Sequence, residues 1–276
     1  MSTLKLGIIG CGFVGGAVNK GFDIDVEKFI VDPKVEGSIS LKELVDASPS
    51  ITFVCLPTPR QDTHQDVDIS VVMEMLLKLD TLQYKGIVVL KSTITPYYLT
   101  SFKKRFNLKI VYNPEFLRES NADYDFTNPS MQVLGGKWKE CEVVEKAYVR
   151  HSSVKIVPTF KTDLITASFL KYTINSWLAT KVAFFNELHE LFEASGSNSS
   201  WEHFTEMLEK DERVGASHMQ VPGPDGKFGF GGTCFPKDTD ALLYYAKLTN
   251  KGGNPLSVLK AATEANKTHR EKPTKS

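Results

Sequence analysis

Cysteine is scarce in this sequence. Of 276 residues only Cys11, Cys55, Cys141 and Cys234 are cysteines, and no two stand in a Cys-x-x-Cys pair. That spacing suggests neither a zinc site nor a dithiol redox motif, so no metal is expected, and the four read as reduced thiols of a cytoplasmic protein. Net charge is also missing: Lys+Arg and Asp+Glu are both 33. Without a global basic field, a nucleic-acid partner is not expected. Long apolar runs are absent too, since Lys171 and Lys181 interrupt the best candidate region, and no membrane span is expected. The opening Met-Ser-Thr-Leu-Lys-Leu-Gly-Ile-Ile-Gly has no charged segment ahead of a long apolar core, so it does not read as a signal peptide. What the chain does have is 41% hydrophobic residues, enough for one large or two modest domains.

Short apolar runs alternate with amphipathic stretches along the first half. Strands are predicted at Leu4–Ile9, Phe29–Val31, Ile51–Leu56, Gly86–Leu90, Lys109–Tyr112, Gln132–Leu134 and Val154–Val157. Helices are predicted from Gly16 onward and at Leu41–Ala47, Val67–Leu79, Pro96–Phe106 and Glu140–His151. The pattern is that of an α/β, doubly wound, mostly parallel sheet covered on both faces. After Pro158 the pattern turns helical. One long helix over Asp163–Ala194 lacks Gly and Pro and is closed by Ser195-Gly196; helices follow at Ser200–Lys210, Thr239–Thr249 and Pro255–His269, with a glycine-rich loop over Val221–Phe235. The expected domains are residues 1–158, a Rossmann-type nucleotide-binding domain, and 159–276, an all-helical domain carrying the cysteine loop.

Gly10-Cys11-Gly12-Phe13-Val14-Gly15 follows the first strand and opens a helix, in a βαβ unit that ends at Asp32. A lone Gly-x-Gly-x-x-Gly is weak, but in this context it is the dinucleotide fingerprint. Gly10 permits the turn, Gly12 admits the pyrophosphate to the backbone, Gly15 lets helix and strand pack, and the helix N-terminus faces the phosphates. Asp32 would accept hydrogen bonds from the adenine ribose and disfavour a 2′-phosphate, so NAD is expected over NADP.

Ligands of open α/β sheets sit beyond the carboxyl ends of the strands. Three segments fall there: Leu56-Pro57-Thr58-Pro59, Lys91-Ser92-Thr93-Ile94-Thr95-Pro96 and Asn113-Pro114-Glu115-Phe116-Leu117-Arg118-Glu119. Turn and capping chemistry alone accounts for Ser92 to Pro96. It accounts less well for Glu115 and Glu119, which would share a face if helical, with Arg118 beside them; the alternative there is a solvated charged turn. Lys171 and Asn175 share a face of the long helix in an apolar stretch. A buried lysine is costly unless paired, and the alternative is a lysine whose stem lies along an amphipathic face.

The stretch GFGGTCFPKD, Gly229 to Asp238, places one thiol between glycines and a Lys-Asp pair. A thiol attacks a carbonyl as its thiolate, which neighbouring cations favour. The glycines admit a substrate, and Asp238, one helical turn after Cys234, would orient a lysine or a water. Cysteine with NAD is the chemistry of oxidising an aldehyde through a thiohemiacetal to a thioester, which water releases as an acid.

These motifs together resemble the UDP-glucose/GDP-mannose (nucleotide-sugar) dehydrogenase family. GCGFVG, CLPTP, KSTITP, NPEFLRES, FLKYTINSWLATKVAFFNEL and GFGGTCFPKD occur in family order across nearly the whole chain, and PLSVLKAATEANK looks like the helix after the cysteine loop. The resemblance implies an NAD-dependent, two-step oxidation of a sugar or nucleotide-sugar primary alcohol to the carboxylate, as in UDP-glucose 6-dehydrogenase. It implies Cys234 as nucleophile, Lys171 and Asn175 at the oxyanion, Asp238 working with Lys171 on protons and water, Glu115 as base for thioester hydrolysis, and Thr93 positioning the water. Cofactor contacts would fall on Gly10, Gly12, Phe13, Val14, Gly15, Asp32, Thr58, Thr93, Glu119 and Lys237. Substrate contacts would fall on Glu115, Phe116, Leu117, Arg118, Glu119, Lys171, Asn175, Arg213, Phe228 and Gly231. The resemblance also implies a homodimer through the long helix, with Arg213 reaching a neighbouring subunit's site.

The sequence departs from the family in three places. The family chain continues into a second nucleotide-binding domain, whereas this sequence ends at Ser276 and is expected to be a shortened form. The loop Val221–Phe228 looks longer than usual, and Met131-Gln132 stands where the family usually carries arginine. Two other readings remain at this point: a β-hydroxyacid dehydrogenase of the 6-phosphogluconate type, which shares a Lys-x-x-x-Asn motif but needs no catalytic cysteine, and a non-catalytic NAD-binding module.

Overall fold

A computed structural model describes residues 3–61, 66–118, 121–250 and 256–273. The chain runs β1 (Leu4–Ile9), α1 (Phe13–Gly21), β2 (Val26–Val31), α2 (Leu41–Ala47), β3 (Ile51–Val54), α3 (Ser70–Thr81), β4 (Ile87–Leu90), α4 (Pro96–Arg105), β5 (Lys109–Tyr112), α5 (Ala122–Thr127), β6 (Gln132–Gly136), α6 (Trp138–His151), β7 (Thr159–Thr162) and then helices only. These are α7 (Leu164–Ala194), α8 (Trp201–Leu208), α9 (Phe235–Thr249) and α10 (Ser257–Arg270).

The seven strands form one sheet in the order β2-β1-β3-β4-β5-β6-β7. Every pairing is parallel except β5 with β6, so the doubly wound, mostly parallel sheet stands. The chain leaves β1 for β2 on one side and returns to β3 on the other. That reversal opens the crevice at the carboxyl ends in which such folds bind ligands. β3 and β4 are buried at every position, as expected for strands covered on both faces. Leu6, Ile8, Val18, Phe22, Phe53, Val89, Val111 and Tyr148 form the centre of the core. The rings of Phe22, Phe53 and Tyr148 meet there at centroid distances of 4.9 to 6.0 Å.

Several boundaries differ from the sequence expectation. The run Val154–Val157 is not a strand: Lys155 donates its N–H to the Thr127 carbonyl, and the edge strand lies five residues later, at Thr159–Thr162, beside β6. The sheet therefore extends past residue 158, where a domain boundary was expected. By its internal contacts the chain forms two compact units, one of the residues up to Arg60 with Val67–Lys171, the other of the residues from Tyr172 onward with Gln61 and Asp66. Helix α3 starts at Ser70 rather than Val67 because the Asp68 carboxylate accepts the Ser70 N–H (2.8 Å). Helix α9 starts at Phe235 rather than Thr239, with Pro236 in its first turn, a favoured place for a residue lacking an N–H.

Among the described residues of the second unit, apolar side chains gather in two clusters. Phe185, Trp201, Met219 and Val221 form one, with Phe192, Phe204 and Phe228 against it. Ala179, Ala183 and Phe230 form the other, with Phe235 and Ala262 packed on it. Helix α7 is closed at its start by Asp163, whose carboxylate accepts the N–H groups of Ile165 and Thr166 and the Thr166 hydroxyl, satisfying donors that a helix start leaves open.

Candidate active site

In the first unit the fingerprint has the expected geometry. Gly10 has φ +81°, and a Cβ on Gly15 would collide with the Gly10 carbonyl. At Gly12 a Cβ would meet nothing within 4 Å, so packing within the chain does not require glycine there. An empty approach to bare backbone at the N-terminus of α1 is what a pyrophosphate needs. Phe13 and Val14 follow as the first residues of α1, Phe13 exposed and Val14 half-buried. Asp32 follows β2 and is tied back to the loop: its carboxylate accepts the N–H groups of Cys11 (2.6 Å) and Lys34 (2.9 Å). Those N–H groups, Cys11 first, hold its carboxyl below the usual range. Two acceptor sites of the carboxylate remain for ribose hydroxyls. The residues present thus fit a dinucleotide.

At the carboxyl edge, Thr58 is buried, Thr93 is half-buried, and the Ser92 hydroxyl donates to the Leu56 carbonyl (2.6 Å). Residues 113–118 are irregular, not helical, so Glu115 does not sit on a helical face as its spacing to Glu119 suggested; Glu119 itself lies outside the described residues. Glu115 is buried and paired with Lys171 of α7. The Lys171 ammonium donates to Oε1 of Glu115 at 3.0 Å and to its carbonyl at 2.5 Å. The side chains are 4% and 9% exposed for Lys171 and Glu115. The other carboxylate oxygen accepts the Leu117 N–H at 2.7 Å, while the Phe116 ring lies 5.3 Å from the Lys171 ammonium. Burial pushes the Glu115 carboxyl up, but Lys171, the Leu117 N–H and Lys91 outweigh it and hold Glu115 below the usual range. Glu115 is therefore an ionised carboxylate in a dry place. Arg118, by contrast, is exposed and turned to Asp125, which takes its guanidinium at 2.7 and 3.0 Å.

The second unit carries the cysteine. Cys234 is exposed at the N-cap of α9, where its carbonyl accepts the Asp238 N–H (2.8 Å). The loop before it bends at Gly229 (φ +72°) and Gly232 (φ +73°), a conformation that favours glycine. Asp238 is buried and doubly bound: Asn175 of α7 donates to Oδ2 at 2.6 Å and Lys237 to Oδ1 at 2.6 Å. The one-turn offset from Cys234 thus fixes a carboxylate beneath the thiol-bearing helix end, held by an amide and an ammonium. Gly231 lies against the Arg270 guanidinium. Phe228 packs into the aromatic cluster, 6.4 Å from the His189 ring. Arg213 is exposed, its guanidinium on Asp211 (2.5 and 2.9 Å).

Several residues that shape these clusters were not singled out from sequence. Asn186 and Asn266 hold the glycine loop: Asn186 accepts the Gly229 N–H (2.8 Å), and Asn266 accepts the Phe230 N–H (2.6 Å) and donates to the Phe230 carbonyl (3.0 Å). Lys181, buried on α7, donates to the carbonyls of Val214 and Gly215 (3.0 and 2.8 Å), fixing the backbone next to Arg213. Lys91 and Asn113 form a buried polar contact at the ends of β4 and β5. Asparagines in polar loops and helices carry no spacing signal. Lys91 did offer one, since a lysine directly after a fully apolar strand is a charge heading for a buried edge.

A parallel sheet with a glycine-rich first turn and an acid after its second strand defines the first unit as a dinucleotide-binding fold. Two family models then match: the NAD binding domain of the UDP-glucose/GDP-mannose dehydrogenase family over residues 17–152, and its central domain over residues 165–268. The chain belongs to this family. It is 35% identical over 224 residues to the UDP-glucose 6-dehydrogenase of Rickettsia conorii, covering 78% of this chain and 48% of that one. To the UDP-glucose 6-dehydrogenase TuaD of Bacillus subtilis it is 30% identical over 255 residues, covering 89% and 52%. The chain thus spans about half the length of the curated relatives it matches. Its fold is that of a UDP-glucose dehydrogenase from Pyrobaculum islandicum, with a TM-score of 0.78 at 24% identity, covering 96% of this chain and 68% of that one. Among the described residues no helix is long and apolar enough to cross a membrane.

Proposed function

We propose that the protein oxidises the primary alcohol of a nucleotide-sugar to the carboxylate, in the manner of a UDP-glucose 6-dehydrogenase, with Cys234 as the covalent nucleophile. The observation that carries this is the exposed Cys234 at the head of α9, after a glycine loop pinned by Asn186 and Asn266 and one turn before the buried Asp238–Asn175–Lys237 cluster. A β-hydroxyacid dehydrogenase needs no such thiol, and the family match favours the nucleotide-sugar.

The alcohol loses a hydride and a proton to become the aldehyde. The Cys234 thiolate adds to the aldehyde carbon, giving a thiohemiacetal; loss of a second hydride and a proton gives the thioester. Water breaks the carbon–sulfur bond, returning the thiol and releasing the acid. NAD, when bound, supplies the hydride acceptor for both oxidations, two equivalents per acid. Gly10, Gly12 and Gly15 with the start of α1 hold its pyrophosphate, Asp32 its ribose, and Phe13, Val14, Thr58, Thr93 and Lys237 complete its contacts.

Lys171 and Asn175 donate hydrogen bonds to the oxyanion, the kind of preorganised donors that supply the largest share of such catalysis. Asp238 works with Lys171 on proton movements. Glu115, ionised by its surroundings, takes the proton of the attacking water, which Thr93 positions. Phe116, Leu117, Phe228 and Gly231 line the substrate.

The protein assembles as a homodimer through α7. Trp177, Phe184 and Leu191 recur every seven residues along that helix and are 61%, 56% and 67% exposed, a stripe that needs a partner surface. Arg213, exposed and bound through its guanidinium to Asp211, is the residue that would enter a neighbouring copy's site.

Incubation with a panel of UDP- and GDP-sugars, each with NAD or NADP, tests the proposal through the absorbance of the reduced cofactor. One sugar should reduce NAD far faster than NADP; no reduction with any sugar would contradict it.

A further inference from the structure

We infer that Arg270, at the end of α10, is a positioning residue for Cys234: its guanidinium is the seat on which the cysteine loop rests, and Asp225 of the loop Val221–Phe228 holds that seat in place. The inference rests on the proposed role of Cys234 as nucleophile. It also gives a task to the loop that the sequence marks as longer than usual for the family.

Three successive residues of the cysteine loop lie along one face of α10. Asn266, His269 and Arg270 stand three and four positions apart, so they share that face. A Cβ on Gly229 would run into Oδ1 of Asn266 and stand 3.1 Å from the Cβ of His269. Phe230 is held on both backbone groups by the Asn266 amide, at 2.6 and 3.0 Å. Gly231 meets Arg270: a Cβ there would stand 2.7, 2.8 and 2.9 Å from Nη2, Cζ and Nη1. Nearly equal distances to three atoms of one plane put that point over the guanidinium face, not at its rim. No side chain fits at 231 without displacing Arg270.

Gly231 differs in this from its neighbours. Gly229 and Gly232 have φ of +72° and +73°, where glycine is favoured whatever the space around it. Gly231 has no such backbone requirement, so among the described residues it is the guanidinium that calls for a glycine. Arg270 is itself held. Its Nη1 donates to Oδ2 of Asp225 at 2.7 Å, and Oδ1 accepts the Lys227 N–H at 3.1 Å. The Gly223 N–H closes that turn on the Lys227 carbonyl at 2.8 Å. Val221 and Phe228, the two ends of the loop, are anchored in the aromatic cluster. The side chains of Arg270 and Asp225 are 27% and 46% exposed, and an ion pair at that exposure adds little to stability. Its consequence is placement. Only Gly232 and Thr233 separate the seated Gly231 from the thiol at the head of α9.

The test reads the loop at the thiol itself and needs no turnover. A nitroxide label is attached at Cys234, the exposed cysteine, and its mobility is read from the electron paramagnetic resonance line shape. In wild type the label should be held. Arg270→Lys keeps a charge for Asp225 but loses the flat face, Asp225→Ala releases the guanidinium, and Gly231→Ala puts a methyl where it lies. In each the label should tumble several-fold faster, with a urea midpoint close to wild type. Gly231→Ala already displaces Arg270, so combining it with Arg270→Lys should give no more mobility than either alone. With a nucleotide-sugar and NAD, Asp225→Ala and Arg270→Lys should release aldehyde, trapped with semicarbazide, at the expense of acid, and keep the wild-type KM for NAD. Only the second oxidation uses the thiol, whereas a merely structural defect would slow both together. Line shapes of Arg270→Lys and Gly231→Ala that match wild type, or an aldehyde share no larger than wild type's, would overturn the inference. A wild-type protein that oxidises no nucleotide-sugar would count against the proposed reaction, and leave the seating of the loop as the line shapes show it.

Discussion

Asn175, in the middle of α7, and Asp238, in the first turn of α9, are joined by a 2.6 Å hydrogen bond from amide to carboxylate. Both side chains are buried, and Lys237 takes the other carboxylate oxygen. The bond ties the helix that begins at the cysteine to α7, the longest helix among the described residues. Asn175→Ala should cost about 1.5–3 kcal/mol, the usual range for a hydrogen bond to a charged group. Urea unfolding of the purified variant measures this. A loss below about 0.5 kcal/mol, within the scatter of neutral surface changes, would show that the bond does not hold α9 in place.

The Glu115–Lys171 pair has a pH signature. Because the folded protein holds Glu115 below its ordinary value of 4.5, the unfolded chain binds this proton first on acidification. The pair's contribution is present in full above the unfolded value and is lost as the pH falls through the depressed folded value. Glu115→Gln should therefore be less stable than wild type at pH 7, with the gap closing as the pH falls below about 4.5. Thermal melts of both proteins from pH 7 to pH 3 give the comparison; a gap that stays constant, or widens in acid, would contradict the assignment.

Much of this was legible in the sequence, and for a physical reason. The fingerprint glycines and the cysteine loop are local: each needs particular backbone freedom at fixed spacing, so the spacing alone points to the geometry. The edge strand was not legible. Val154–Val157 has the stronger strand composition, yet Pro158 contributes only a carbonyl, accepting the Gln132 N–H, and pairing with β6 starts one residue later, at Thr159. Helix α5, Ala-Asp-Tyr-Asp-Phe-Thr, is too short and polar to show a period. Arg118 was expected at the substrate because it stands in the NPEFLRES motif, but its bidentate partner Asp125 is seven residues downstream in that same α5. Asn113, Asn186 and Asn266 work through tertiary contacts that no periodicity announces.

The four cysteines should differ sharply in reactivity. Cys234 is exposed, whereas burial raises Cys55 to about 12 and Cys141 to about 11, and burial and Asp32 raise Cys11. Thiolate, not thiol, is alkylated. Brief treatment with iodoacetamide near pH 8, followed by peptide mass spectrometry, should place the first label on Cys234. A first label on Cys11 or Cys55 would contradict the accessibility of the cysteine loop.

Assembly follows from the stripe on α7. If Trp177, Phe184 and Leu191 face a second copy, light scattering should give the mass of two chains, and the double substitution Trp177→Glu with Phe184→Glu should give one. A wild-type protein that scatters as a single chain at micromolar concentration would exclude the dimer.

The covalent role of Cys234 is tested most directly by the product of one sugar in two proteins. With the nucleotide-sugar that wild type oxidises, and NAD in excess, reduced cofactor and released acid are measured together. Wild type should form two reduced cofactors per acid, and Cys234→Ser should form no acid above background while still binding NAD. Acid released by Cys234→Ser at a rate near wild type would contradict the thioester route and with it the account of why a single exposed thiol stands at the head of α9.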